Sequence, residues 1–149
     1  GVGAGMSIVE VPGATGNIHT NFRVKAEAAL AQLERGADFV YIHVEAPDEA
    51  GHRGEVDTKV RAIELIDRDV VGTILEGLKN RKDYKIMILP DHPTPLSLRT
   101  HTDDAVPFLI YNPAEEKESG VLSYTEEIAA CPRKVEVTEG HRLMEFFLG

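Results

Sequence analysis

Two carboxylates and three imidazoles fall in three short stretches near the middle of the chain. Asp48 and His52 are four residues apart, Asp91 and His92 are adjacent, and His101 follows nine residues later. Carboxylate oxygens and neutral imidazole nitrogens are ligands that divalent metals take in proteins. We therefore predict that these residues come together and hold a pair of divalent ions.

The predicted chemistry follows from how such ions act. A catalytic ion commonly keeps three protein ligands and an open position, and Asp48, His52 and His101 would supply that set for one ion. Asp91 and His92 would bind the same ion or a neighbouring one. Two ions about 4 Å apart can clamp a phosphoryl group and stabilise its attacking and leaving oxygens. The pattern therefore predicts metal-dependent phosphoryl transfer on a small phosphorylated metabolite.

Every one of these side chains also has a structural explanation. Asp48 and Asp91 suit turns, His52 suits a helix entry, His92 suits the surface, and His101 could bond to the backbone. Only their expected position together favours the metal interpretation. The remaining histidines are assigned structural roles. We expect His43 in the core within a strand, and His19 and His141 at structural or exposed positions.

No nucleophile stands out near these stretches. A reactive hydroxyl is activated by a neighbouring base or a lowered pKa, and no hydroxyl here has an obvious partner of that kind. The hydroxyls considered are Thr94, Ser97, Thr100 and Thr102. Arg99 suits either a phosphate contact or the surface. Cys131, the single cysteine, is not favoured because it lies far from the histidines and directly before Pro132.

Composition narrows the class of protein. The 149 residues carry a formal charge of −9, which repels nucleic acid and anionic lipid. A phosphorylated substrate would be repelled too, unless bound cations reverse the local field. No apolar run approaches the length of a membrane span. One cysteine fits a reducing compartment. We expect a cytoplasmic protein that contacts neither nucleic acid nor membrane, and the oligomeric state stays open.

Strands and helices are expected to alternate along the chain. The predicted strands are Met6–Val11, Ala37–Ala46, Tyr84–Leu89 and Val106–Tyr111. The predicted helices run from a Thr20 or Asn21 cap to Arg35, from Glu55 to Leu78, and over Tyr124–Ala130 and Glu139–Leu148. This alternation favours an α/β fold of three layers, α/β/α, around a mostly parallel sheet. The Asp48–His52 and Asp91–His92 loops would then lie at the carboxyl ends of strands, where such sheets bind ligands.

The longest predicted helix has two distinct faces. Its apolar residues step by three or four and predict one buried stripe: Val56, Val60, Ile63, Ile66, Val70, Ile74 and Leu78. The opposite face is charged and is expected to be solvated: Lys59, Arg61, Glu64, Arg68 and Glu76.

The same stretches resemble a known family. The segments His43–Gly54, Leu89–Pro95 and His101–Tyr111 resemble the archaeal-type cofactor-independent (2,3-bisphosphoglycerate-independent) phosphoglycerate mutases. Those enzymes belong to the alkaline phosphatase superfamily. Val11–Gly16 and Thr20-Asn21 also look like that family, so the resemblance covers most of the chain.

The resemblance implies an alkaline-phosphatase-like fold, two divalent ions (manganese or zinc) and a transiently phosphorylated serine. By motif, Asp48, His52 and His101 would hold one ion, and Asp91 and His92 the other. Residues 1–149 would be the C-terminal part of the metal-binding, phosphatase-like domain. The nucleophilic serine and an inserted substrate-binding domain would lie outside them. The implied reaction of the whole enzyme is interconversion of 3- and 2-phosphoglycerate, and the fragment alone is expected to be inactive.

Three alternatives stay open at this point. A sister group in the same family, proposed to act as a homoserine kinase, has a similar sequence at Leu89–Pro95 and Ser97–Thr102. Simple hydrolysis would use the same metal chemistry with water as the acceptor. A non-catalytic module would keep the fold for structure or partner binding and would hold no metal.

Overall fold

Helices dominate the computed structural model, which describes residues 1–117, 120–130 and 135–149. The chain forms two compact units. The first contains Gly1–Asn80 and Thr94–His101, and the second contains Arg81–Pro93 and Thr102–Gly149. Cys131, which was weighed as a nucleophile, lies outside the described residues.

The first long helix of the first unit, α1, spans Phe22–Glu34 and confirms the predicted helix. Asn21 is its N-cap, and the Asn21 side chain accepts a hydrogen bond from the Val24 amide. This bond satisfies one of the donors that a helix start leaves without an intrahelical partner. Gly36, at φ 95°, follows the helix end in the left-handed region that glycine tolerates.

Residues 46–53 form a helix, α2 (Ala46–Arg53), where the sequence analysis predicted a loop. Pro47 lies in its first turn, and Gly54 caps its end at φ 70°. Acidic side chains occupy the first turn and basic ones the last, which suits the helix dipole. The loop prediction was wrong because proline at the start and glycine just past the end are helix signals at these positions.

The predicted long helix is present in three consecutive parts. α3 spans Val56–Leu65, a π-helical segment spans Ile66–Val71, and α4 spans Gly72–Leu78. Three members of the predicted stripe, all in α3, are exposed: Val56, Val60 and Ile63. Val70 and Leu78, further along, are buried, so the predicted stripe is buried only in its later part. The wider π turn rotates the two parts relative to each other about the axis, so one face cannot stay buried along the whole length.

The core of the first unit lies where α1 packs against the π-helical segment and α4, and where α2 packs against α3. Its buried members are Phe22, Ala26, Ala46, Ala62 and Val70, surrounded by half-buried aliphatic side chains. Gly77 of α4 lets Leu30 of α1 approach closely, since a Cβ at Gly77 would lie 2.5 Å from Leu30 Cδ1. The small residues at these positions bring the helices together and fix the face that α2 presents.

The second unit is built on a two-stranded antiparallel sheet. β1 (Ile86–Ile88) pairs with β2 (Leu109–Tyr111), with Met87 opposite Ile110. Phe108 packs edge-on against Phe146 of the terminal helix, α5 (Leu143–Leu148), at a centroid distance of 6.3 Å. The helix predicted over Tyr124–Ala130 is a 3-10 turn at Glu126–Ala130. The helix predicted over Glu139–Leu148 is a 3-10 turn at Gly140–Arg142 followed by α5.

A three-layer parallel sheet is not what the described residues form. Met6–Val11 and residues 37–45 have no strand pairing, and Phe39 and Tyr41 are exposed. An apolar run becomes a strand only when a neighbouring strand supplies its ladder hydrogen bonds, and β1 and β2 pair with each other. Among the described residues, no helix has both the length and the apolar character needed to cross a bilayer.

Candidate metal centre

Helix α2 places Asp48 and His52 on one face. Residues four apart on a helix lie one turn above each other, so the two side chains point the same way. Asp48 Oδ2 lies 3.4 Å from His52 Nε2. From the sequence, we expected a loop to bring Asp48 and His52 together. The helix brings them together more rigidly, because it fixes the backbone dihedral angles of all residues between them.

His101 completes the group from a distant part of the sequence. It ends the segment 94–101, and its Nε2 lies 3.3 Å from Asp48 Oδ1 and 3.0 Å from His52 Nε2. Ligand atoms about 2.1 Å from one ion lie roughly 3.0 Å apart at octahedral angles and about 3.4 Å apart at tetrahedral angles. The separation of the two Nε2 atoms matches these values, and each Nε2 lies within 3.4 Å of a different Asp48 oxygen. With one ligand atom taken from each residue, all three atoms lie within 4.8 Å of one another. Within the described part of the chain, these residues form the cluster with metal-ligand spacing.

The orientation of His52 is set by its other ring nitrogen. His52 Nδ1 lies 3.0 Å from the backbone carbonyl oxygen of Arg99. A carbonyl oxygen only accepts hydrogen bonds, so Nδ1 carries a proton and Nε2 is the ring nitrogen that faces the cluster. Metal-bound histidines commonly donate their second N–H in this way. The donor set therefore fits a divalent cation.

Arg99 reaches this position through an unusual backbone conformation. Its φ is 55°, the one positive value at a non-glycine among the described residues. Its guanidinium lies against Gly54, where a Cβ would come within 2.6 Å of Arg99 Nε. Arg99 is exposed, as the surface interpretation predicted, and its backbone carbonyl contacts His52, which the sequence analysis did not predict.

Two residues at this centre were assigned other roles from the sequence. Thr94, considered there as a weak nucleophile, is buried and donates its hydroxyl to Asp48 Oδ1. Lys59 was placed on a solvated helix face, but its ammonium group donates to the Thr94 carbonyl oxygen at 2.7 Å. Neither contact has a local sequence signal, because the partners are 46 and 35 residues apart.

Asp91 and His92 belong to the second unit. The Asp91 carboxylate accepts the backbone N–H of His92 at 3.1 Å, and His92 Nε2 lies 3.4 Å from Asp91 Oδ2. The two side chains are therefore close enough to serve one ion together. Their assignment to a second ion stays a prediction.

The other candidates occupy varied positions. Ser97 and Thr100 are exposed, and Thr102 donates its hydroxyl to Asp104 at 2.8 Å. His43 was expected in the core, but it is exposed and lies 3.6 Å from Glu45, because its segment has no sheet around it. His19 and His141 are exposed as expected.

Comparison with known proteins shows which family the chain belongs to. The sequence profile of the Metalloenzyme superfamily matches residues 2–139. The chain belongs to this superfamily. Together with the curated relatives described next, this match confirms the resemblance to the phosphoglycerate mutase family that the three stretches indicated.

Curated relatives support the same assignment. The chain is 49% identical over 99% of its length to a probable 2,3-bisphosphoglycerate-independent phosphoglycerate mutase of Geobacter sulfurreducens. It is 45% identical, again over 99% of its length, to 2,3-bisphosphoglycerate-independent phosphoglycerate mutase 2 of Methanothermobacter thermautotrophicus. The chain spans 37% and 36% of these two relatives, about a third of each.

A solved structure shares the fold. The PH0037 protein of Pyrococcus horikoshii matches with a TM-score of 0.67 and 36% sequence identity. The match covers 72% of this chain and 32% of that protein.

Proposed function

We propose that this chain is the metal-binding part of an enzyme that interconverts 3- and 2-phosphoglycerate. The observation that carries the proposal is the cluster of Asp48, His52 and His101, whose ligand atoms lie within 4.8 Å of one another. Membership in the Metalloenzyme superfamily and the names of the curated relatives support the same reaction. The curated relatives named above are phosphoglycerate mutases, which favours this reaction over the homoserine kinase alternative.

In this proposal, Asp48, His52 and His101 hold one divalent ion, manganese or zinc, and Asp91 and His92 hold a second. When bound, such ions supply positive charge that stabilises a transferring phosphoryl group. The protein's own part is to orient its donors. The Arg99 carbonyl holds the ring of His52, and the neutral imidazoles leave Asp48 as the single negative ligand of the first set.

The remaining parts of the reaction come from outside these residues in this proposal. A segment beyond residues 1–149 supplies the phosphorylated serine and the substrate-binding domain. It also supplies the strands that would pair with residues 37–45 and complete a three-layer α/β/α sheet. Residues 1–149 then form the C-terminal part of the phosphatase-like domain. A cytoplasmic location fits the single cysteine and the acidic surface.

Metal binding is tested on the 149-residue chain. Calorimetric titration with Mn²⁺ and Zn²⁺ is expected to show binding that His52→Gln and Asp48→Asn each weaken by tenfold or more. His19→Gln, which changes an exposed histidine of the same unit outside the cluster, serves as the matched control and should bind as the unaltered chain does. Equal affinity in all four proteins would remove Asp48 and His52 from the ligand set.

The second ion is tested separately with Asp91→Asn and His92→Gln. If these residues hold a second ion, the number of ions bound at saturation falls while the cluster of Asp48, His52 and His101 still binds. An unchanged number in both variants would contradict the assignment of Asp91 and His92.

The reaction is tested on the whole protein in which the chain occurs. Phosphorus NMR distinguishes 2- from 3-phosphoglycerate, so interconversion is followed directly in one tube. Activity should disappear with chelator and return with Mn²⁺ or Zn²⁺. Release of inorganic phosphate in place of isomerisation would indicate hydrolysis. Full activity in chelator would refute the metal mechanism, and no activity with any phosphorylated substrate would favour the non-catalytic module.

A further inference from the structure

Thr94 is one of two buried polar residues among the described part of the chain, with 5% of its surface exposed. Its hydroxyl donates to Asp48 Oδ1, the same oxygen that lies 3.3 Å from His101 Nε2. A hydroxyl donor on a metal-binding carboxylate fixes which way the carboxylate faces, and hydrogen bonds to charged acceptors are stronger than neutral ones.

The backbone of Thr94 is held against α2 and α3 by two contacts. Lys59 donates to the Thr94 carbonyl oxygen at 2.7 Å. Gly51 provides the room, because a Cβ there would lie 2.7 Å from the Thr94 carbonyl oxygen and 2.9 Å from its Cγ2. Both contacts act on the beginning of the segment 94–101 and so determine how closely that segment approaches Asp48.

The rest of the segment is a compact turn. The carbonyl oxygen of Pro95 accepts the amides of Leu98 and Arg99 at 3.0 and 2.8 Å. This turn carries the Arg99 carbonyl to His52 and is followed directly by His101. One short segment thus supplies a donor to the first ligand, an acceptor to the second, and the third ligand itself.

We propose that Thr94, clamped by Lys59 and Gly51, is the positioning residue that orients Asp48 for metal binding. This inference rests on the proposed function, since it concerns the same ion. Burial decides between positioning and nucleophilic roles, because a hydroxyl with 5% of its residue exposed has no room to meet a phosphorylated substrate. The hydrogen bond from the Thr94 hydroxyl to Asp48 therefore orients the Asp48 carboxylate.

The test removes the hydroxyl and keeps the volume. In the 149-residue chain, Thr94→Val is expected to weaken Mn²⁺ binding by about tenfold to a hundredfold, the range for residues that support metal ligands. Thr94→Ser keeps the donor and should bind within about threefold of the unaltered chain. Lys59→Met, which keeps the aliphatic stem and removes the ammonium, should weaken binding in the same direction. Thr73→Val, in α4, is the control and should leave affinity unchanged.

The outcomes separate the two proposals. If His52→Gln loses Mn²⁺ while Thr94→Val binds normally, the proposed function stands and the positioning role of Thr94 is wrong. If the unaltered chain takes no Mn²⁺, the proposed function fails, and the ¹³C signal of the Asp48 carboxylate in the metal-free protein decides the positioning. That signal is expected to move in Thr94→Val and to stay in Thr94→Ser. An unmoved signal in Thr94→Val would overturn the inference.

Urea unfolding of each variant guards against a general structural effect. Replacing the buried hydroxyl by a methyl group of similar size also removes a hydrogen bond to a carboxylate, so the urea midpoint of Thr94→Val is expected to fall while the chain stays folded without urea. Loss of Mn²⁺ affinity in a Thr94→Val chain that is still folded under the titration conditions supports positioning. An equal loss of affinity in Thr94→Ser would overturn it, because the hydroxyl would then not be the cause.

Discussion

Gly51→Ala sets two physical effects against each other. Gly51 lies inside α2, and alanine is favoured over glycine in a helix interior by about 1 kcal/mol. Helix propensity alone therefore predicts stabilisation. The structure predicts the opposite, because the added Cβ would lie 2.7 Å from the Thr94 carbonyl oxygen and 3.0 Å from Lys59 Nζ.

The relative size of the two effects can be estimated. Overfilling a packed site costs about 1–3 kcal/mol. The upper part of that range applies here, because one of the clashing atoms is backbone and cannot rotate away. Subtracting the gain of about 1 kcal/mol from helix propensity leaves a net destabilisation of about 1–2 kcal/mol. Mn²⁺ affinity should fall as well, since the displaced segment also carries His101.

Urea unfolding followed by circular dichroism measures the first effect, and calorimetric titration measures the second. Gly72→Ala is the matched control, because a Cβ at this exposed helical position would meet only Asp67 O at an ordinary 3.5 Å. It should stabilise the chain by about 0.5–1 kcal/mol. If Gly51→Ala were also stabilising, the close contact between α2 and the Thr94 segment would be refuted.

Three further predictions test other contacts. Asn21→Ala should cost about 1 kcal/mol in urea unfolding, because it removes the acceptor of the Val24 amide, and Asn21→Ser should recover most of it. Gly54→Ala should destabilise by about 1–2 kcal/mol, because φ is 70° and the Cβ would meet the Arg99 guanidinium, and Gly54→Asn should cost less. Partial burial raises the pKa of Tyr124 to about 12, above an ordinary value of 10.0, although 39% of the residue's surface is exposed. The stability that this proton contributes is present below pH 10 and is lost as pH rises to about 12, so the urea midpoint should fall less steeply over this range in Tyr124→Phe. An identical slope in both proteins would contradict the raised pKa of Tyr124.

Local signals predicted α1 correctly, and they were sufficient for α2 as well. Asn21 and Gly36 mark the ends of α1, as capping residues do. Pro47 and Gly54 mark the ends of α2 in the same way, but the Asp48–His52 stretch was predicted as a loop. Gly51 in the helix interior is explained by the approach of Thr94, a residue that is distant in sequence.

Strand pairing was beyond the reach of local patterns. Residues 37–45 are apolar enough for a strand, but a strand also needs a neighbour whose position is set by the whole fold. The strands predicted over Tyr84–Leu89 and Val106–Tyr111 are present as β1 and β2. They pair with each other in antiparallel orientation. The alternation of elements had favoured parallel neighbours.

The approach of His101 to Asp48 and His52 was predicted, although for a partly wrong reason. Residue type and spacing singled out these three residues, and strand ends were expected to bring them together. In the structure, a helix and a clamped turn do so. The supporting contacts of Thr94, Lys59 and the Arg99 carbonyl depend on three-dimensional packing, so no spacing rule could have indicated them.

The cluster draws two of its donors from a single helical turn and the third from 49 residues further along the chain. Asp48 and His52 are arranged as soon as α2 forms, whereas His101 arrives only when the later segment docks, and closing such a long loop carries an entropic cost. Cation uptake during refolding should therefore occur in two stages, a loose one at the helix and a tight one at docking. Stopped-flow fluorescence of a metal indicator would measure both stages and so report the order in which α2 and the later segment of this unit assemble.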